Sequence, residues 1–204
     1  MNVLILAAGY ATRLYPLTLN KAKPLLEVAG KPMIEWVLDN IAPIHGIDTV
    51  YVVTNNKFAH DFREWADGYA AKLPDNLKSI AFKIVNDGST SDDDKKGAIG
   101  DIHLVLNQEH LFNDDLIVVA GDNLFSEPVT GFGTVGKAAP ATIAVYDVGD
   151  LELALDQDVQ PRHQRDVAEA EGDRARLPRA RRLALARHRR ELERFGLVAR
   201  VRRR

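Results

Sequence analysis

Asn2-Val3-Leu4-Ile5-Leu6-Ala7-Ala8-Gly9 begins one residue into the chain and is apolar throughout from Val3 to Ala8. Nothing in it alternates with period two, so it reads as a strand buried on both faces, the kind found inside a parallel sheet. Similar apolar, β-branched or aromatic runs return at Thr49–Thr54, residues 80–85, Leu116–Ala120 and residues 141–146. Helical patterns separate them. Pro32 can open a helix carrying Ile34, Trp36, Val37, Leu38 and Ile41. Residues 58–73 place Phe62, Trp65, Ala66 and Tyr69 on one face, and residues 97–106 point Ile99, Ile102, Val105 and Leu106 inward. The tryptophans and Tyr69 are expected in the core. Strands alternating with helices predict an α/β protein: a Rossmann-like, doubly wound, mainly parallel sheet with helices on both faces.

Composition narrows the function. With 204 residues, 46% of them hydrophobic and 27% charged, the chain can bury a real core. It has no cysteine, which excludes disulfide scaffolds, cysteine-based zinc sites and cysteine nucleophiles. No apolar run approaches the roughly 18 residues of a membrane span. The apolar start is too short for a secretory signal and lacks a basic flank, so the expected compartment is the cytoplasm.

The net charge of −2 averages two unlike regions. All ten lysines fall between Lys21 and Lys137, whereas fifteen of the seventeen arginines follow residue 161. Residues 1–147 carry a net −7 and residues 148–204 a net +5. This sets a boundary between a globular part, residues 1–150, and an Arg-rich tail, residues 151–204. Three readings of the tail stay open: a basic arm for an acidic partner, a surface helix over residues 177–195, or an out-of-frame end from a GC-rich gene. The last is preferred, because Arg- and Ala-dense, lysine-free text is what such codons produce. Nucleic acid is a disfavoured partner, since the front is acidic and the tail lacks interleaved aromatics.

Chemistry is suggested at three places. After the first strand comes Leu6-Ala7-Ala8-Gly9-Tyr10-Ala11-Thr12-Arg13-Leu14-Tyr15-Pro16-Leu17-Thr18. Its small residues allow close backbone approach, its amides can face phosphate oxygens, and Arg13 offers a planar fork. It is neither a Walker A loop nor a dinucleotide fingerprint. Ten residues on, Pro24 biases Lys23 toward an extended backbone that could aim its ammonium into a cleft. Asp122, in Gly121-Asp122-Asn123, directly follows an apolar strand and so lies at the carboxyl edge of the sheet, where open α/β folds bind ligands. A carboxylate there could hold Mg²⁺. Taken singly, each also reads as an ordinary turn or a solvated side chain.

Taken together they resemble the sugar-1-phosphate nucleotidyltransferase family, of the glucose-1-phosphate thymidylyltransferase and uridylyltransferase type. The residues that carry the resemblance are Leu6-Ala7-Ala8-Gly9, Thr12-Arg13-Leu14-Tyr15-Pro16-Leu17-Thr18, Lys23-Pro24-Leu25-Leu26, Val28-Ala29-Gly30-Lys31-Pro32 and Gly121-Asp122-Asn123. The resemblance covers about residues 1–150. It implies transfer of a nucleotidyl group from a nucleoside triphosphate to a sugar 1-phosphate, with release of pyrophosphate. By analogy Arg13, Lys23 and Asp122 are the catalytic residues: Arg13 neutralises pyrophosphate, Lys23 grips phosphate near the α-position and Asp122 holds Mg²⁺. Leu6, Ala7, Ala8, Gly9, Tyr10, Ala11 and Thr12 would line the nucleotide, with Asn86 and Gly97 near the base. A homo-oligomer is a further implication.

Departures accompany the likeness. Ala11 stands where the family has a second glycine, and Ala22 where it has a proline. After Gly149 neither the Glu-Glu-Lys-Pro of the family's sugar-binding portion nor its second metal-binding aspartate is legible, so the sheet is expected to be incomplete at its C-terminal end. Two alternatives follow: a nucleotide-binding relative without turnover, or a nucleotidyltransferase acting on another small phosphate such as phosphocholine. The Asp87-to-Lys96 stretch, with Asp92-Asp93-Asp94, is expected to be a solvated loop. The scattered histidines, His103 and His110 included, suggest no metal site, and no Gly-x-Ser-x-Gly is present.

Overall fold

The computed structural model describes residues 1–125, 127–139, 141–144 and 198–201. The chain enters through β1 (Asn2–Leu6), makes a short hairpin of β2 (Glu27–Val28) and β3 (Lys31–Pro32), and runs into α1 (Met33–Ile41). It then alternates β4 (Thr49–Thr54), α2 (Ala59–Lys72), β5 (Ala81–Asn86), α3 (Gly97–Gln108), β6 (Leu116–Ala120), α4 (Thr130–Ala138) and β7 (Ala141–Ile143), with β8 at Val198–Val201. The sheet order is β5-β4-β1-β6-β8-β7. β1 pairs in parallel with β4 and β6, and β4 with β5, while β8 runs antiparallel to β6 and β7. The expected α/β, mainly parallel sheet is what forms.

Alternation along the central strands assigns the faces. Leu4 of β1, Tyr51 and Val53 of β4, Val85 of β5, and Leu116 and Val118 of β6 pack with Val105 of α3. Val3 and Ile5 point the other way, in register with Val50, Val52, Ile117 and Val119. On that side Trp65 and Tyr69 of α2 meet Phe82 of β5 edge to face, at 6.2 and 5.6 Å between ring centroids. Helices therefore cover both faces, and the four parallel strands deliver their carboxyl ends to one edge.

Several expectations change in detail. Trp36, Trp65 and Tyr69 are half-buried, not core residues. Trp36 donates its indole N–H to the Val28 carbonyl at 2.8 Å and carries the Lys31 ammonium over its ring, so it clamps the β2–β3 hairpin. Ile99, expected inward, is 79% exposed, and it is Asp101 that is buried on α3. Helix α4 has no counterpart in the sequence reading, because glycines at 131, 133 and 136 dilute its pattern. Strand β8 lies in the segment read as a tail. The rest of that segment, on which the three readings of its nature rest, lies outside the described residues, as do positions 145–146 of the fifth predicted strand.

Candidate active site

The carboxyl edge of β1 and β6 forms one wall of an open cleft of about 390 Å³. Leu6, Ala7, Ala8, Gly9 and Ala11 line it from the loop after β1, Lys23 and Pro24 from the next turn, and Asp122 from the end of β6. Lys95, Gly97, Ala98 and Asp101, at and around the start of α3, line it as well.

Each wall is held by identifiable bonds. The Ala7 amide donates to the Val53 carbonyl at 2.9 Å, which continues the β1–β4 ladder past the strand end. Fully buried Asn55 donates to the Ala8 carbonyl at 3.0 Å and accepts from the Phe58 amide at 3.1 Å, tying the loop to the start of α2. Thr18, also fully buried, donates its hydroxyl to the Ala11 carbonyl at 2.7 Å. Ala11 itself sits at φ 48°, ψ 42°, in the left-handed region. A Cβ is disfavoured there by about 1–2 kcal/mol, so alanine in the glycine position is accommodated at a cost.

Lys23 does not lie extended as the following proline suggested. It opens a 3₁₀ turn, Lys23–Leu25, closed by bonds from the Leu25 amide to the Ala22 carbonyl at 2.9 Å and from the Leu26 amide to the Lys23 carbonyl at 3.0 Å. The preceding residue, Ala22, is the extended one and is fully buried. The turn still delivers the ammonium to the cleft, where Nζ lies 2.8 Å from Asp122 Oδ2. Both side chains are about one-third exposed. Gly121 makes this meeting possible. A Cβ on it would lie 3.0 Å from Ile5 Cγ2 and 3.3 Å from both the Leu6 carbonyl and Pro24 Cβ. Only glycine lets the β6 end approach β1 and the lysine turn this closely.

The other expected residues divide. Gly97 lines the cleft, and its φ of 71° starts α3 in a conformation that glycine adopts freely. Arg13, on the short 3₁₀ turn Thr12–Leu14, is exposed and is not among the lining residues; neither is Thr12. Tyr10 is buried behind the loop, and its hydroxyl comes near Ser89 without a hydrogen bond of ordinary geometry. Burial raises its pKa. Asn86 is engaged with the Asn56 side chain and the Gly88 amide, at 2.8 and 2.9 Å, outside the lining set.

Asp101 is the residue that pattern reading missed. It is 5% exposed and lines the cleft, and its Oδ1 has no hydrogen-bond partner among the described residues. Burial, reinforced by the neighbouring Asp87 carboxyl, pushes its pKa up to about 6, against a smaller opposing pull from Lys96. The stretch expected to be a solvated loop is split. Asp92, Asp93 and Asp94 are exposed, but Asp87 and Ser89 are buried, with Ser89 donating its amide and hydroxyl to Asp87 at 2.7 Å each. An aspartate at a helix position otherwise read as apolar-flanked was the one available signal.

No cluster of three histidine, aspartate or glutamate side chains suited to a metal occurs among the described residues. No helix among them is long and apolar enough to cross a membrane. Asp122 therefore fits a cation only in the way Mg²⁺ commonly binds, with one carboxylate and the remaining positions filled by phosphate oxygens and water.

The family described as nucleotidyl transferase matches residues 2–150. A glucose-1-phosphate thymidylyltransferase of Mycobacterium tuberculosis is 31% identical over 176 residues, covering 79% of this chain and 56% of that protein. A bifunctional protein GlmU of Methanococcus maripaludis is 28% identical over 132 residues, covering 63% of this chain and 26% of that one. The structure of a UDP-glucose pyrophosphorylase complexed with UDP-glucose shares the fold, with a TM-score of 0.56 at 21% identity over 72% of this chain and 57% of that one. The chain thus spans little more than half, or less, of the length of these relatives. The match along residues 2–150, nearly three-quarters of the sequence, places the chain in the nucleotidyl transferase family.

Proposed function

We propose that the chain transfers a nucleotidyl group from a nucleoside triphosphate to a sugar 1-phosphate, forming a nucleotide sugar and pyrophosphate. The observation that carries this reading is the Lys23–Asp122 pair, 2.8 Å apart, in a cleft also lined by Ala7, Ala8, Gly9 and Ala11 of the loop after β1. In such a transfer a phosphate oxygen of the sugar 1-phosphate attacks the α-phosphorus and pyrophosphate leaves, so positioning and charge stabilisation supply most of the rate.

The residues take separable parts in this reading. The amides of the Ala8-to-Thr12 loop hold the triphosphate. Lys23 leaves its bond with Asp122 to grip phosphate near the attacked atom. Asp122 would hold Mg²⁺, which would neutralise phosphate charge. Arg13, exposed two residues beyond Ala11, meets the leaving pyrophosphate. The ion pair keeps both groups neutralised and positioned before substrate arrives.

The test is to incubate the full chain with Mg²⁺, the common nucleoside triphosphates and a panel of sugar 1-phosphates, and to look for nucleotide sugar chromatographically. A product that needs one particular pair supports the reading. Its absence from a chain that binds nucleotide supports the second reading, a nucleotide-binding relative without turnover.

A further inference from the structure

Two carbonyls of the loop after β1 are drawn inward by buried side chains. Asn55 donates its Nδ2–H to the Ala8 carbonyl at 3.0 Å, and Thr18 donates its hydroxyl to the Ala11 carbonyl at 2.7 Å; both side chains belong to fully buried residues. Each orientation is fixed by its neighbours. Asn55 Oδ1 accepts from the Phe58 amide at 3.1 Å, which leaves the donor end of the same group for Ala8. Thr18 is brought back to Ala11 by turns closed from the Leu17 amide to the Leu14 carbonyl at 2.9 Å and from the Leu19 amide to the Pro16 carbonyl at 3.1 Å.

The Ala8–Gly9 and Ala11–Thr12 peptides are trans. In a planar trans peptide the carbonyl and the following N–H point in opposite directions. A carbonyl held toward a buried side chain therefore turns the next amide outward. The residues concerned, Gly9 and Thr12, are both exposed, and Gly9 lines the cleft with open space where a side chain would be. Among the described residues neither amide donates to a backbone carbonyl. Between them Ala11 is left-handed and leads into the 3₁₀ turn Thr12–Leu14. Such a change of backbone hand gathers successive amides into a concavity for an anion.

We propose that Asn55 and Thr18 are positioning residues: by holding the Ala8 and Ala11 carbonyls inward, they set the Gly9 and Thr12 amides to grip a polyphosphate chain. The inference rests on the function proposed above only in taking that chain to be the triphosphate of the nucleotide. Both side chains are buried, so neither touches the ligand. Each removes the alternative in which the peptide turns over and presents its carbonyl oxygen to the anion. Asn55 acts from the end of β4 and Thr18 from the turns beyond Arg13, so the loop is held from two sides.

Inorganic tripolyphosphate is the probe, because it presents the phosphate chain without base or sugar. Amide resonances of the isotope-labelled full chain are followed as it is added. The Gly9 and Thr12 protons should move downfield, as expected of amides that gain a charged acceptor. Calorimetry then compares the wild type with Thr18→Val, Thr18→Ser and Asn55→Ser, each checked for folding by circular dichroism. Thr18→Val keeps the branched shape without the hydroxyl and should weaken binding by about 3–10-fold, the scale of one net hydrogen bond. Thr18→Ser should restore it. Asn55→Ser, which can still cap the Phe58 amide but is too short to serve Ala8 as well, should weaken binding by a similar factor. Should Thr18→Val fail to fold, the amide shifts of the wild type decide. Gly9 and Thr12 amides unmoved by bound tripolyphosphate, equal affinity of the wild type and folded Thr18→Val, or no tripolyphosphate binding by the folded wild type overturns the inference. A chain that meets these expectations yet forms no nucleotide sugar keeps the inference and loses the proposed function.

Discussion

The two ends of the cleft solve the same problem, charge in a partly enclosed site, in opposite ways. Lys23 and Asp122 face each other at 2.8 Å, each about one-third exposed, so neither charge is stranded. Such a pair contributes about 0–1 kcal/mol and can be opened by a ligand at little expense. Asp101 is 5% exposed and meets another carboxyl. Its ionised form is paid for by the rest of the fold. The contrast teaches that a half-exposed charge is met by an opposite charge beside it, whereas a buried one is met by holding its proton more tightly.

The sharpest way to break this comparison is to remove its exchangeable acid. Asp122→Asn should lower turnover by about 10²–10³-fold, the scale of losing one electrostatic group at a reacting centre. Because the pair is exposed, the melting temperature should move by no more than a few degrees. A large loss of stability in thermal denaturation would mean that the pair is structural.

Asp101→Asn should do the reverse, gaining stability at neutral pH. The folded-state pKa of about 6 lies above the ordinary 3.8, so the folded chain holds the proton more tightly than the unfolded one. Stability contributed by this group is present below pH 4, falls as pH rises to about 6, and is fully lost above that. Neutralising the residue should stabilise the chain by up to about 3 kcal/mol at pH 8 and by little at pH 4. Urea titrations at the two pH values check this; equal stabilisation at both would remove the charge from the explanation.

Gly121→Ala tests how closely the two strand ends must approach. Its Cβ would press on Ile5 Cγ2 at 3.0 Å and Pro24 Cβ at 3.3 Å. Overpacking of this kind costs about 1–3 kcal/mol and should displace the lysine turn, so activity should fall more than stability alone explains. Ala11→Gly is the mildest change. It relieves a left-handed alanine at φ 48°, and part of that gain is offset by the greater freedom of glycine in the unfolded chain. A gain of about 1 kcal/mol or less is expected in the same denaturant titration.

The difference between the ends also explains what the sequence revealed. The phosphate-type loop, Lys23 and Asp122 could be read because their setting is local: an apolar strand, then small residues, or a strand, then Gly-Asp. Strands Thr49–Thr54 and Leu116–Ala120 could be read for the same reason, since buried parallel strands are uninterrupted apolar runs. Asp101 could not. Its raised pKa comes from burial first and then from Asp87, fourteen residues earlier, neither of which helical spacing reveals; that spacing alone placed Ile99 inward. Ile99 is 79% exposed, while its neighbours Gly97 and Ala98 line the cleft. Helix α4 escaped because its three glycines weaken the pattern, although buried Phe132 anchors it. Arg13 was legible as a motif residue, but its exposed position was not.

The central claim is that the Lys23–Asp122 end moves a nucleotidyl group rather than merely binding or hydrolysing a nucleotide. Its most direct test follows two labels through one reaction. Nucleoside triphosphate labelled at the α-phosphorus, and separately at the γ-phosphorus, is incubated with Mg²⁺ and sugar 1-phosphate, for the wild type and Asp122→Asn. The account predicts α-label in the nucleotide sugar, γ-label in pyrophosphate, and loss of both in the folded variant. Alpha-label that ends only in free nucleotide, or transfer undiminished in Asp122→Asn, would contradict it.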